Sequence, residues 1–300
     1  MHGLACYRLV KRVLVDVHNA VLGPLAVEQF GIQMCGDDAR TDHLPKLELK
    51  YTRLHELSSI IKAVSFREAG TFQASPQGIR ILVDDQHCEQ AIAYLPNDLF
   101  SKFNLRERSV HFRLPLVLIT ECIAMHTDSV ATFKMIYSGD TDPVKLVLEE
   151  DSLVVDMDVK LLTVEEVLDF EFDTDDVAFQ AIMKTYMLKE AFKELDVTST
   201  TATLSFSSDE FLLITKGNIG TVKTKFPRHS QQIERLECAV PFKHQYLIAF
   251  LKRMSAALAA ASKVALRCDS RGVLWAQFVI ESVECKEAHI DFYCSPSIQG

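Results

Sequence analysis

The sequence lacks any apolar run near the ~20 residues that a membrane-spanning helix requires. It has no Asn-x-Ser/Thr acceptor, one tryptophan, nine prolines and eleven glycines in 300 residues. Eight cysteines, none in a Cys-x-x-Cys pair, are too few for a disulfide scaffold. Most lie in apolar runs such as Val264-Ala265-Leu266-Arg267-Cys268 and are expected to be buried, reduced thiols. Cys285 and His289 alone do not make up the four ligands of a structural zinc site, so no metal and no cofactor is expected. Base is in deficit, 32 Lys and Arg against 41 Asp and Glu, for a net charge of −9. A chain this acidic does not coat nucleic acid in bulk, and any contact with phosphate needs a local basic patch. The phosphate-binding, dinucleotide, nucleophile-elbow and HExxH motifs are all absent.

What is present is a substantial core: hydrophobic residues make up 48% of the chain and charged residues 24%. Residues 1–44 read as an N-terminal extension outside the fold. The apolar stretch there is broken by Lys11, Arg12 and Asp16, and no serine precedes Ser58, so it suits neither a signal peptide nor a mitochondrial presequence.

From Leu47 onward one unit recurs. Leu47–Tyr51 alternates as a strand does, then Leu54, Leu57, Ile61 and Val64 follow at helical spacing. Strands are predicted at Thr71–Ala74, Ile79–Val83 and Cys88–Leu95. A second copy has strand Val110–Leu114, a helix from Pro115 and strands at Thr132–Tyr137, Val144–Glu149 and Leu153–Lys160. The third opens with strand Leu168–Phe172 and has helix Met187–Leu195. Its later strands are Thr201–Phe206, Phe211–Thr215 and Thr221–Phe226. The fourth has strand Leu236–Val240, a helix over Phe242–Met254 and strands at Lys263–Cys268, Val273–Ile280 and Ile290–Cys294. Short turns between strands predict antiparallel sheets, hence an α+β fold. Two similar domains are expected, 45–160 and 168–296, joined by a connector at 161–167 and followed by a tail at 297–300.

Positive charge gathers on the predicted helices. Lys62 and Arg67 fall on the first, Lys184, Lys189 and Lys193 on the third, and Lys243, Lys252 and Arg253 on the fourth, which has no acid. Such helices on one face would attract phosphates without reading sequence.

Several stretches together resemble the sliding-clamp (PCNA-like) family. They include Ile60–Glu68, Leu148-Glu149-Glu150, Glu166–Phe172, Leu188–Ser199, Gly217-Asn218-Ile219-Gly220, Asp269-Ser270-Arg271-Gly272 and Phe292-Tyr293-Cys294-Ser295-Pro296. Within that family the likeness is to the Rad-one-type subunit of the nine-one-one checkpoint clamp, and it covers residues 46–296. It implies a DNA-clamp fold with antiparallel sheets outside and helices lining a central hole. It also implies a nuclear, non-catalytic role as one of three different subunits encircling double-stranded DNA, loaded by a clamp loader and serving checkpoint and repair clients as a platform. By the same analogy the ring closes by strand pairing. One edge would be Leu153–Lys160, with Leu153, Val155 and Met157. The other would be Ile219–Phe226, with Ile219, Val222 and Thr224. Asp151, Asp156 and Asp158 make the first edge acidic, and Lys223 and Lys225 make the second basic. Leu161, Leu162 and Val164 of the connector either line a client groove or tuck into the core.

A catalytic alternative rests on Asp169, Glu171 and Asp173, which alternate onto one face of a strand and are chemically able to hold two Mg²⁺ for 3′–5′ exonuclease chemistry. Against it, the stretch from Glu165 to Asp176 holds seven acids and no base, which reads as a solvated acidic rim, and the sequence places no fourth ligand or general base beside the trio. A third alternative is a partner-binding module without DNA contact. Trp275 is expected to pack in the core.

Overall fold

In the computed structural model, the described residues are 44–85, 88–124, 131–151, 153–165, 170, 172–218, 220–281 and 287–297. Almost all of the expected N-terminal extension therefore lies outside them.

Alternation of apolar and polar side chains sets the strands, because successive side chains point to opposite faces. The first half of the fold runs β1 (Leu47–Tyr51), α1 (Leu54–Val64), β2 (Ala69–Ser75), β3 (Gly78–Asp85), β4 (Glu89–Pro96), β5 (Lys102–Leu105), β6 (Val110–Pro115), α2 (Leu116–Ala124), β7 (Thr132–Tyr137), β8 (Val144–Glu150) and β9 (Leu153–Val159). The second half runs β10 (Val177–Lys184), α3 (Thr185–Lys193), β11 (Thr201–Phe206), β12 (Glu210–Gly217), β13 (Gly220–Pro227), β14 (Ile233–Cys238), β15 (Phe242–Leu247), α4 (Ile248–Arg253), α5 (Ser255–Ala260), β16 (Lys263–Asp269), β17 (Leu274–Glu281) and β18 (Glu287–Cys294).

The strands form three sheets. Their orders are β5-β1-β7-β8-β9, then β14-β10-β16-β17-β18-β4-β3-β2-β6, then β13-β12-β11-β15. The halves obey one plan. In the first, β6-β2-β3-β4 stands against β5-β1-β7-β8-β9, and in the second, β15-β11-β12-β13 stands against β14-β10-β16-β17-β18. The halves merge where β4 pairs antiparallel with β18, from His289 opposite Tyr94 to Cys294 opposite Glu89. The helices make a connected row: α2 packs on α1, α1 on α5, and α5 on α3.

Helix α1 turns Leu54, Leu57, Ile60, Ile61 and Val64 into the core at the expected period. The core of the second half is phenylalanine-rich. Phe179, Phe206, Phe211 and Phe226 stack or tilt against one another with ring centroids 4.3–5.9 Å apart. Such aromatic contacts add to the burial of large apolar surfaces.

Two expected elements differ. The predicted helix over Phe242–Met254 is a strand followed by two short helices, and its first six residues pair with β11 from Phe242 opposite Phe206 to Leu247 opposite Thr201. Phe242, His244 and Tyr246 alternate with polar or exposed residues, and sheet pairing wins over the weak helical pattern. Tyr246 is fully buried and its hydroxyl donates to the Gly272 carbonyl at 2.7 Å. The predicted strand Leu168–Phe172 lies mostly outside the described residues, and the strand that opens the second half is β10, starting at Val177. Phe170 and Phe172, which are described, have no regular structure. Smaller shifts place Pro115 at the end of β6, ahead of α2, and the predicted Leu236–Val240 strand at Ile233–Cys238.

Candidate functional site

The basic residues expected on the helices divide into two sets. Lys62 on α1 and Lys189 on α3 are exposed on helices of the connected row, and Lys252 is exposed on α4, the short helix that leads into α5. Lys193 is exposed on α3 and pairs with Glu190 one turn back at 2.6 Å. The others are placed differently. Lys184 is half-buried at the end of β10, ahead of the helix, and Lys243 is exposed on β15. Arg67 lies beyond α1, 3.4 Å from Asp85.

Arg253 is engaged inside the molecule. Its Nη1 lies 2.5 Å from Glu89 Oε2 and 2.7 Å from Asp85 Oδ2. The guanidinium sits over Phe66, 5.0 Å from the ring centroid, and over Phe250 at 5.5 Å. Glu89 has no exposed surface, and burial pushes its carboxyl up to about 7 although Arg253 pulls it down. Arg253 therefore ties α4 of the second half to the β3–β4 hairpin of the first.

The two edges expected to meet other chains are the outer strands of their sheets. β9 pairs with β8 alone and β13 with β12 alone. On β9, Leu153 and Val154 are 41% and 64% exposed, Val155 and Met157 are half-buried, and Asp156 and Asp158 are exposed. On β13, Val222, Lys223 and Lys225 are exposed and Thr224 is half-buried. Ile219 lies outside the described residues. A patch near the β13 edge joins Tyr186 and Met187 of α3 to Phe226, and Tyr186 is itself 51% exposed. Exposed apolar side chains along open sheet edges invite strand addition.

The connector does not tuck into the core. Leu162 and Val164 are exposed and Leu161 is half-buried. The backbone runs along β6, where Leu162 N–H donates to the Arg113 carbonyl at 2.9 Å and Arg113 Nη1 meets Glu165 Oε1 at 2.5 Å. A cleft of about 220 Å³ opens on strands β3, β4, β17 and β18, lined by Arg80, Tyr94, Phe170, Phe172, Trp275 and Tyr293, among others. Trp275 belongs here and not in the core: it is half-buried, 5.2 Å from Phe172 and 5.8 Å from Tyr293 between ring centroids. Arg267 lies 4.2 Å over its other side, a cation–π contact. The readable signal was phase. Tyr94, Trp275 and Tyr293 fall on the alternation opposite to the core residues of their strands, so three aromatics share the outward face.

The carboxylate trio lies mostly outside the described residues. Asp169 and Glu171 lie outside them, and exposed Asp173 accepts the Asp175 N–H at 2.9 Å to close a local turn. No group of three or more potential metal ligands occurs among the described residues. Of the cysteines, Cys122, Cys268 and Cys294 are buried, Cys238 is partly so and Cys88 is exposed. Cys285 lies outside the described residues, and His289 stacks on Tyr94 with centroids 4.3 Å apart. No helix among the described residues is long and apolar enough to cross a membrane.

Comparison with known proteins supplies the relatives. The chain is 33% identical over 252 residues to "Cell cycle checkpoint protein RAD1 homolog mrt-2" of Caenorhabditis elegans, covering 84% of this chain and 94% of that one. It is 33% identical over 250 residues to "Cell cycle checkpoint protein RAD1" of Homo sapiens, covering 81% and 89%. To "DNA damage checkpoint control protein rad1" of Schizosaccharomyces pombe it is 22% identical over 271 residues, covering 81% and 84%. The profile described as "Repair protein Rad1/Rec1/Rad17" matches residues 46–280, from β1 into β17, and the chain belongs to that family.

Proposed function

We propose that this chain is a non-catalytic subunit of a heterotrimeric DNA clamp acting in the nucleus in the DNA-damage checkpoint. Two other clamp subunits, a clamp loader and checkpoint or repair clients are its partners, and double-stranded DNA passes through the assembled ring. The relatives' names place those proteins in cell-cycle and DNA-damage checkpoint control, and the family description names repair.

One observation carries the assembly reading. The strand plan is repeated, and β4 of the first half pairs with β18 of the second. In that plan β13 is the counterpart of β4, and β9 is the counterpart of β18. The chain therefore ends in two edges of the same kinds that it joins internally, and flanking subunits can repeat the joint by strand pairing. The other edges, β5 with β14 and β6 with β15, are outermost strands in both halves alike.

The exposed lysines on the helix row support sequence-independent contact with phosphate. A ring holds DNA topologically, so weak, screened attraction is enough and leaves it free to slide. The aromatic cleft on β3, β4, β17 and β18 suits an extended client peptide with apolar anchors.

The test is reconstitution. Co-expressed with the two other clamp subunits, the chain is expected in a complex of one copy each. That complex is expected to stay on circular DNA after loading and to leave when the circle is cut. A chain that never enters a three-part complex overturns the reading.

A further inference from the structure

The internal joint also fixes a residue-by-residue register for the two open edges. Gly78 and Glu210 each open the strand that follows a hairpin and lie opposite Pro96 and Pro227, so the next residues, Ile79 and Phe211, hold matching places opposite Leu95 and Phe226. Ala93 of β4 therefore corresponds to Thr224 of β13. Tyr51 and Met183 each end the core face of a strand before a helix, and they lie opposite Phe133 and Val264. Those two lie opposite Leu148 and Phe278, which in turn lie opposite Val155 and Ile290. Ile290 of β18 therefore corresponds to Val155 of β9. Since Ile290 lies opposite Ala93, the copied joint sets Val155 opposite Thr224, Asp156 opposite Lys223 and Met157 opposite Val222.

Both faces of that pairing match. Asp156 and Lys223 are exposed and opposite in sign, and directly opposed charges of unlike sign stabilise a strand pair. Asp158 and Lys225 extend the same two signs along their strands. Within its own chain Asp156 has Lys145 Nζ at 3.5 Å, a contact made between two exposed groups and worth little. The other face sets half-buried Met157 against exposed Val222. Neither edge carries a charge that repels the other, so nothing in them works against self-pairing.

We infer that, without its partner subunits, this chain associates head to tail with further copies of itself, β9 of one copy pairing with β13 of the next in the register Asp156 opposite Lys223. The inference rests on the subunit reading above but concerns an assembly that reading does not require. The contact is heterologous, so it closes into a ring or continues as an open chain.

The test uses the full chain in sedimentation velocity across a concentration series at low and high salt. The average mass is expected to rise with concentration and to fall back with salt. Asp156→Lys and Lys223→Asp each place like charges opposite one another and are expected to weaken association by about ten-fold or more. The double variant D156K/K223D restores unlike charges and is expected to recover association. Both positions are exposed, and circular dichroism confirms that each variant folds. A chain that stays monomeric at all concentrations, or a double variant no better than the singles, overturns the inference. Monomeric behaviour with continued entry into the three-part complex overturns self-pairing alone, while failure in both assays removes the subunit reading as well.

Discussion

Arg253, the last residue of α4, closes on Glu89, the first residue of β4, with 2.5 Å between Nη1 and Oε2. The two residues belong to different halves of the chain, and Glu89 is fully buried where β4 meets Cys294 of β18. The joint between the halves is thus a strand pair locked at one end by a charge pair, with Asp85 and two aromatic rings around the cation.

That arrangement makes stability depend on pH. Burial raises the Glu89 carboxyl from 4.5 to about 7, Arg253 opposes the shift, and the negative charge of Asp85 adds to it. The folded chain holds this proton more tightly than the unfolded chain, so this group's contribution falls as pH rises from about 4.5 to about 7 and is level above that. Glu89→Gln is expected to flatten the slope in thermal melts at a series of pH values. Arg253→Ala leaves a buried carboxyl without its cation and is expected to cost about 3 kcal/mol at neutral pH in denaturant unfolding. Equal pH slopes in wild type and E89Q would exclude Glu89 as the titrating group.

The β2–β3 hairpin depends on one glycine. Gly78 has φ +140, and a Cβ placed there would lie 2.1 Å from the Leu95 carbonyl oxygen. Gly78→Ala is expected to destabilise the fold by about 2 kcal/mol or more, through backbone strain and displacement of β4. A midpoint in urea equal to that of wild type would contradict this.

Tyr246 tests the strand that replaces the expected helix. Its buried hydroxyl donates to Gly272, so Tyr246→Phe leaves a carbonyl short of its donor and is expected to cost about 1 kcal/mol. Chemical denaturation of the two proteins measures the difference.

Reversal of the exposed lysines tests contact with DNA apart from folding. Lys62→Glu, Lys189→Glu and Lys252→Glu combined are expected to leave stability within about 1 kcal/mol of wild type. In the assembled complex the same change is expected to shorten retention on circular DNA and reduce its salt dependence. Unchanged retention would remove these side chains from the DNA-facing set.

Much of this was readable from the residues, and the failures have physical causes. Leu47–Tyr51 and Thr201–Phe206 alternate cleanly, and their strands fall where period two put them. The helix expected over Phe242–Met254 has a strand, Phe242–Leu247, as its first six residues. The pairing partner that makes a strand of its first part lies some forty residues earlier, at β11. Arg253 was legible as a cation but not as a committed one, since Asp85 and Glu89 are about 165 positions away in sequence. The aromatic cleft escaped for the same reason: Phe172, Trp275 and Tyr293 come from three segments that only the folded sheet brings together.

The seam between β4 and β18 sets an order on biosynthesis. β18 is the last strand, ending at Cys294, and β4 ends at Pro96, so a ribosome must add nearly two hundred residues before the first strand meets its partner. Contacts so distant along the chain slow folding, and an unsatisfied edge exposed during synthesis is prone to aggregate. The nascent first half therefore calls for chaperone shelter until translation ends, and a premature stop codon anywhere before β18 would release a truncated chain with that edge permanently bare.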